Sequence, residues 1–301
     1  MTDAMFGPLI IWYLFFGGAG AGAMLLTVAL DLFSCWHARH PGTRRLAWTC
    51  MLPRRFFVAG FFVSALVLAG GAICIVFDLG RPERFYFALV HPTFSVLSLG
   101  SYVLGGAIAC SALLGMAALF WSDRAPLWIL RALEMLAVAF SLVTMAYTGF
   151  LLMSIDFVVV WDNPLLPVVF SLSGLSTGTV LVLVCLLATS QGAWRAKLMR
   201  RVLSIDALLI VCEGLALVAF IGLTVFLHGP DSAMANLKEF FWGSNAAEFW
   251  IGFVLCGLAL PLVMDVVYVK INHTALLAVA APLVLVGGFY LRYCFVNVSL
   301  I

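Results

Sequence analysis

The stretch IIWYLFFGGAGAGAMLLTVALDLF, residues 10–33, decides the fold. It carries a single acid, Asp31, and no base. A helix needs ~20 mostly apolar residues to cross the hydrocarbon core of a bilayer, and this run is long enough. The residues before it, MTDAMFGPL, offer no basic region and no evident small-residue cleavage site. The run therefore reads as a retained first helix and not as a signal peptide. Seven further apolar runs follow it. The expected spans are Ile10–Phe33, Phe56–Phe77, Phe94–Phe120, Ile129–Met153, Leu165–Ser190, Val202–Leu227, Phe249–Val269 and Thr274–Val298. Inside lipid every backbone N–H and C=O must be satisfied within the protein, which restricts long apolar spans to helices. The expected fold is all-α and polytopic, with eight transmembrane helices.

Composition agrees. Of 301 residues, 64% are hydrophobic and 10% charged, against ~25% charged in an average soluble protein. Mean hydropathy is +1.14. A net charge of +2 shows no basic excess for nucleic acid. Disorder, a disulfide scaffold and a secreted domain are excluded by the same balance. The loops are short, so no soluble domain is large enough to hold a cofactor.

Lys and Arg set the expected topology, because cytoplasmic loops carry the excess of both. With the N-terminus outside, the inner loops hold Arg39, Arg44, Arg45, Arg54, Arg55, Arg124, Arg131, Arg195, Lys197, Arg200, Arg201 and Lys270. The outer loops hold Arg81, Arg84 and Lys238, and Arg292 lies within the last span. Both termini are therefore expected on the extracytoplasmic side. GGAGAGAMLL in span one and SGLSTGTVLVL in span five are both rich in small residues and lie four spans apart. This suggests two four-helix bundles, residues 1–160 and 161–301. Small residues also mark any close helix contact in lipid, so the repeat is one of two readings.

Much familiar redox and hydrolytic chemistry has no residues here. A b-type haem needs His side chains deep in the membrane. His37, His40 and His273 fall at inner ends, and His91 and His228 at outer ends, which leaves at most an interfacial haem. The eight cysteines, 35, 50, 74, 110, 185, 212, 256 and 294, form no CxxC. Neither a zinc knuckle nor an iron–sulfur cluster is supported, and no metal site is expected. No P-loop, GxSxG or HExxH occurs. GGAGAG, buried in an apolar span, reads as packing.

Ionisable residues inside spans are functional candidates by default. One group lines the outer side: Asp78, then LGRPERF with Arg81, Glu83 and Arg84, then His91-Pro92. This dense mixed-charge loop would dock a partner, gate a polar site, or simply close on itself through salt bridges. The second group lies within helices: Asp31, Glu134, Asp206, Glu213, Asp265 and Arg292. Glu134 is three residues from Arg131, and an i,i+3 pair accounts for it. Asp206 and Glu213 are seven apart and share a helix face. Glu213 lies ~16 Å into its span, at 1.5 Å per residue. A proton path through Glu134, Asp206, Glu213, Asp265 and Arg292 competes with a set of static interhelical pairs. Tyr13 and Tyr147 both lie towards outer helix ends. Each fits either an aromatic belt or a phenol that hydrogen-bonds a quinone oxygen.

Several runs together resemble a known family. They are PLIIWYLFFGGAGAGAMLL (8–26), FDLGRPERFYFALVHPTFS (77–95), YTGFLL (147–152), LPVVFSLSGLSTG (166–178), GLALPL (257–262) and GGFYLRYCFV (287–296). They are similar to the NrfD/PsrC-like integral membrane subunits of respiratory oxidoreductases, such as polysulfide reductase. The resemblance implies a membrane anchor that binds quinol or quinone, menaquinone or ubiquinone, without haem or iron–sulfur cluster of its own. It would exchange electrons with an extracytoplasmic ferredoxin-like [4Fe–4S] subunit. Behind that subunit would stand a molybdopterin catalytic subunit or a cytochrome c. The anchor alone would not be catalytic.

By the same resemblance, Tyr147 matches the quinone-contacting Tyr of the fourth span. Tyr13 stands where a polysulfide-reductase-like member has a quinone-contacting His, and Ile10 where it has an Asn. Tyr13 retains a donor at its position, and Ile10 does not. Asp78 matches an acidic position ending span two, and His91 the HP that opens span three. The implied site thus holds its ligand with Tyr13, Tyr147, His91, Asp78 and Arg81, and moves protons with Asp78, Glu83 and His91. A secondary transporter and a purely structural anchor are the rival readings.

Overall fold

The computed structural model describes residues 7–37, 53–78, 96–120, 126–154, 158, 160–189, 193–229, 237–238, 241–243, 245–271 and 275–297. Within them lie eight helices long and apolar enough to cross a membrane. They are α1 (Pro8–His37), α2 (Arg54–Asp78), α3 (Val96–Phe120), α4 (Leu127–Met153), α5 (Leu166–Thr189), α6 (Ala193–His228), α7 and α8 (Ala275–Asn297). Helix α7 begins as a π-helix, Glu248–Ala259, and continues as an α-helix, Leu260–Ile271. No strand occurs among the described residues.

Proline sets several helix starts. Pro8 opens α1, Pro126 caps α4 and Pro167 is the second residue of α5. Each falls where the missing N–H would have had no intrahelical partner. At the other end of α3, Arg54 of α2 donates from Nε to the Ala118 carbonyl at 2.5 Å and from Nη2 to the Leu119 carbonyl. A cation there satisfies orphan carbonyls and offsets the negative end of the helix dipole.

Helices α1 to α4 pack in a ring, each against the next and α4 against α1; α5 to α8 form a second ring. The seam runs chiefly between α1 and α5, with α2 and α4 also on α5 and α8 on α1. Successive helices are antiparallel. The starts of α1, α3, α5 and α7 therefore share one face with the ends of α2, α4, α6 and α8. That face, which includes the start of α1 and the end of α8, is called the terminal face below; the other is the far face. Outward-facing Leu66, Trp128, Leu208, Leu215, Val218 and Phe226 stay exposed, as expected of a surface whose solvent is lipid.

The seam explains the small residues. A Cβ on Gly22 would strike the carbonyl of Gly174, and one on Gly178 would strike the backbone of Gly22 and Ala23. Gly174 in turn sits against Gly18. No side chain separates the helices at this crossing, a contact that only glycine permits and that dispersion rewards in lipid.

Two segments differ from the sequence reading. Helix α6 begins at Ala193, not Val202, so Lys197, Arg200 and Arg201 are helical. Leu198, Met199, Val202 and Leu203 are buried there, and their packing carries the helix beyond the apolar run. Between α4 and α5, in a stretch that the expected spans leave as a connection, part of the protein inserts into the second ring. Trp161 and Asn163 are fully buried. The Trp161 indole donates to the Phe295 carbonyl at 2.9 Å. Asn163 donates to the Phe220 carbonyl at 2.9 Å and to the Thr224 hydroxyl at 2.8 Å.

Gly178→Val should force α1 and α5 apart and cost about 1–3 kcal/mol, the range for overpacking. The check is a lowered melting temperature of the purified protein in detergent. Gly105→Ala, where a Cβ meets nothing within 4 Å, should not lower that temperature, since alanine favours a helix interior over glycine.

Candidate functional site

Helix α4 buries one stripe, Leu130, Glu134, Ala137, Ser141, Thr144, Met145, Thr148 and Leu152, at the three-to-four-residue spacing of a helix face. Tyr147 lies at the edge of that stripe, between the interior and the exposed Val143 and Phe150. It is 5% exposed, and Tyr13 of α1 is 2% exposed. The two phenols sit close enough to feel each other. Yet the Tyr147 hydroxyl has no partner at hydrogen-bonding geometry among the described residues. A buried hydroxyl without a partner is costly, and such a group calls for a ligand or water.

A cavity of about 580 Å³ lies on Tyr147, lined by Leu99, Val143, Ala146, Tyr147, Phe150, Met153 and Ser154. Its walls are almost wholly apolar, and Leu99 and Phe150 are exposed on the outer surface of α3 and α4. The cavity thus opens from the lipid-facing surface onto a phenol. Gly100 of α3 makes this arrangement fit. A Cβ there would overlap the tip of the Tyr147 ring, so α3 needs glycine for the ring to lie against its backbone. The sequence reading missed Gly100, because nothing local marks which residue a distant ring will cover.

Asp78, the last residue of α2, places its carboxyl group against Gly7 at the start of α1. A carboxylate at a helix N-terminus meets orphan N–H groups and the positive end of the dipole. Tyr13 lies six residues further along α1, ~9 Å along the axis. Asp78 therefore stands on the terminal face beside the tyrosine pair, beyond direct contact with it. Arg81, Glu83 and His91 lie outside the described residues.

The second ring holds its own polar cluster. Arg292 of α8 is fully buried. It donates to the Ser173 hydroxyl at 3.0 Å, the Gly288 carbonyl at 2.5 Å, the Leu14 carbonyl at 3.2 Å and the Phe170 carbonyl at 3.5 Å. Its guanidinium also lies 5.8 Å from the Phe15 ring centre and 5.7 Å from that of Phe170. Glu213 of α6 is in reach of Ser173 and of the Arg292 charge. Although α8 belongs to the second ring, the Arg292 guanidinium reaches α1 at Leu14, the neighbour of Tyr13.

Towards the far face, Asp206 of α6 accepts from the Ser176 hydroxyl at 3.0 Å. It lies within electrostatic reach of Asp265 of α7 and of Glu213. Asp206 and Asp265 line one cavity of about 10 Å³, and Asp265 Oδ2 has no hydrogen-bond partner among the described residues. That volume matches one water. In the first ring, Arg131 pairs with Glu134 as the spacing predicts, and also with Asp31 of α1 at 3.2 Å. Glu248, at the start of α7, was not singled out by sequence; its Oε2 is buried without a partner, near Tyr293 and Cys294. Among the described residues no group of three or more His, Cys, Asp or Glu could hold a metal ion.

Comparison with known proteins agrees with this architecture. The family described as Polysulphide reductase, NrfD, matches residues 1–301. The polysulfide reductase C subunit of Wolinella succinogenes is 26% identical, over 93% of this protein and 91% of the relative. Protein NrfD of Escherichia coli (strain K12) is 27% identical, over 97% of this protein and 96% of its own length. A Protein NrfD homolog of Haemophilus influenzae is 24% identical, over 95% and 93%. The eight membrane-crossing helices and the match along the full length establish a multi-pass protein of the bacterial inner membrane that belongs to the polysulphide reductase NrfD family.

Proposed function

We propose that this protein is the quinone-reactive membrane anchor of a respiratory complex, exchanging electrons between the membrane quinone pool and an extracytoplasmic iron–sulfur subunit. The observation that carries the reading is Tyr147, which lines an apolar cavity open on the lipid-facing surface and whose buried hydroxyl has no partner among the described residues. A quinone head group is flat and apolar with two carbonyl oxygens, and its tail partitions into lipid. The cavity suits the ring, the open side suits the tail, and the phenol donates to one oxygen. Tyr13 stands beside Tyr147 as a second donor for the same ligand, with His91 as the further candidate.

The substrate is menaquinone or ubiquinone. Oxidation of a quinol releases two protons with its two electrons. Asp78 ends α2 on the terminal face, and with Glu83 it would receive protons there. The charge asymmetry of the loops makes that face extracytoplasmic. The LGRPERF loop would seat the ferredoxin-like [4Fe–4S] partner, with a molybdopterin subunit or a cytochrome c behind it. One relative is named as a lettered component of a reductase, which fits a subunit that works with others.

A second reading adds proton translocation. Asp265 and Asp206 flank a water-sized cavity, Asp206 meets Ser176, and Glu213 meets Ser173 and Arg292. These groups step from the far face to the middle of the second ring, and Glu134 is a further candidate in the first ring.

Tyr147→Phe should lower quinol-dependent turnover of the complex about tenfold, the equivalent of one lost hydrogen bond at ~1.4 kcal/mol. Assembly and dye-linked activity of the partner subunits should stay unchanged. Equal quinone kinetics in this variant would favour a purely structural anchor. Gly100→Ala should displace the Tyr147 ring and produce a loss of the same order, measured in the same assay. Glu213→Gln should lower the number of protons moved per electron in proteoliposomes while turnover persists; an unaltered ratio would leave Glu213 a static helix contact.

A further inference from the structure

Asp31 and Glu134 are both fully buried, and one oxygen of each lies on the same nitrogen, Nη1, of Arg131. That shared nitrogen holds the two carboxyl groups side by side. Their remaining oxygens, Asp31 Oδ1 and Glu134 Oε1, have no hydrogen-bond partner among the described residues. As two carboxylates, the groups would set negative charge against negative charge, with two buried acceptors left over. Among the described residues, the neighbouring helices bring no further acid and little cation. Helices α3 and α5 contain no Asp, Glu, Lys or Arg, and α8 contains only Arg292. Helix α2 brings Arg54 and Arg55 to its start on the far face, and Arg54 donates to α3 carbonyls.

We infer that Asp31 and Glu134 share one proton, forming a proton-exchange site on the far face of the first ring. The proton on one carboxyl donates to the free oxygen of the other, satisfying both orphan acceptors in one step. The remaining single negative charge is matched by Arg131. Like-charged carboxyls at such range resolve their repulsion in this way elsewhere, and the proton belongs to the pair. Arg131 is 26% exposed, so the pair borders the surface and exchanges its proton there. It sits on the same two helices as the tyrosine pair. Asp31 is eighteen residues from Tyr13 and Glu134 thirteen from Tyr147, ~27 Å and ~20 Å along the helix axes. The assignment concerns charge state and does not rest on quinone binding at Tyr147.

Infrared difference spectroscopy on the purified full-length protein tests it. Asp31→Asn and Glu134→Gln are compared with the wild type at neutral pH, in H2O and D2O. The wild type should show a deuterium-sensitive carbonyl stretch of a protonated carboxylic acid that both variants lose. In each variant the surviving carboxylate pairs one-to-one with Arg131 and ionises. Raising the pH of the wild type should remove the same band. Loss in only one variant would assign the proton to a single residue and overturn the shared site. Absence of any lost band would mean that both groups are ionised, with the same consequence. Both variants are near-isosteric, so recovery of one suffices to detect an ionised pair.

Discussion

Where α1 crosses α5, Gly18 and Gly22 face Gly174 and Gly178 with backbone against backbone. Lipid tails are as apolar as leucine, so helices in a membrane gain little from hiding apolar side chains from each other. What they gain is close dispersion contact, and that depends on how near the axes come. Alanine at Gly22 or Gly178 would already place a carbon on the opposing backbone. The crossing ties the first ring to the second. It also sets how far Arg292 must reach, because its guanidinium spans from Ser173 of α5 to Leu14 of α1. A fully buried cation is expensive, and this one is enclosed by three carbonyls, a hydroxyl, two ring faces and the nearby Glu213. The glycines bring the acceptors together, and the arginine penalises any arrangement that separates them.

The same constraint decides the location of the tyrosine pair. Tyr13 precedes the glycine run on α1, and Thr148, next to Tyr147, packs its methyl group towards Gly17. Once α1 is seated by its glycines, Tyr13 falls opposite Tyr147 without any further adjustment. Gly100 then lets α3 close over the Tyr147 ring. A small-residue pattern that looks like mere packing thus sets the spacing of a groove that joins the lipid-facing surface to a buried phenol without a partner among the described residues.

The spans were legible because hydropathy is a local property, and eight apolar runs became eight helices with boundaries displaced by a few residues. Helix α6 is the exception: buried Leu198 and Met199 extend it where composition alone reads loop. The polar candidates were legible for the related reason that an ionisable residue in an apolar run is rare. Their partners were not. Arg131 had a sufficient local partner in Glu134, so nothing in the sequence pointed to Asp31, one hundred residues away. Ser173 and Ser176 lay in plain view within SGLSTG, but only the helix packing turns one towards Arg292 and the other towards Asp206. Trp161 and Asn163 read as loop residues because their acceptors, Phe295 and Phe220, belong to distant helices.

Charge in this molecule is distributed by what each face must do. The lipid-facing cavity at Tyr147 is almost free of polar surface, so it suits a ligand that arrives through the membrane. The acids lie elsewhere, and almost every one has a specific neighbour: Asp31 and Glu134 on Arg131, Asp206 on Ser176, Glu213 on Ser173 and Arg292. Static pinning would be complete if each acid were fully satisfied. It is not, since Asp31, Glu134, Asp265 and Glu248 each keep a buried oxygen without a donor among the described residues. In a low-dielectric interior such an oxygen is most simply satisfied by a proton or a water. A bundle built only to anchor would gain stability by replacing these acids with leucine. Asp265 borders a water-sized cavity, and Asp31 and Glu134 lie on an arginine that reaches the surface, positions from which the proposed proton exchange would run.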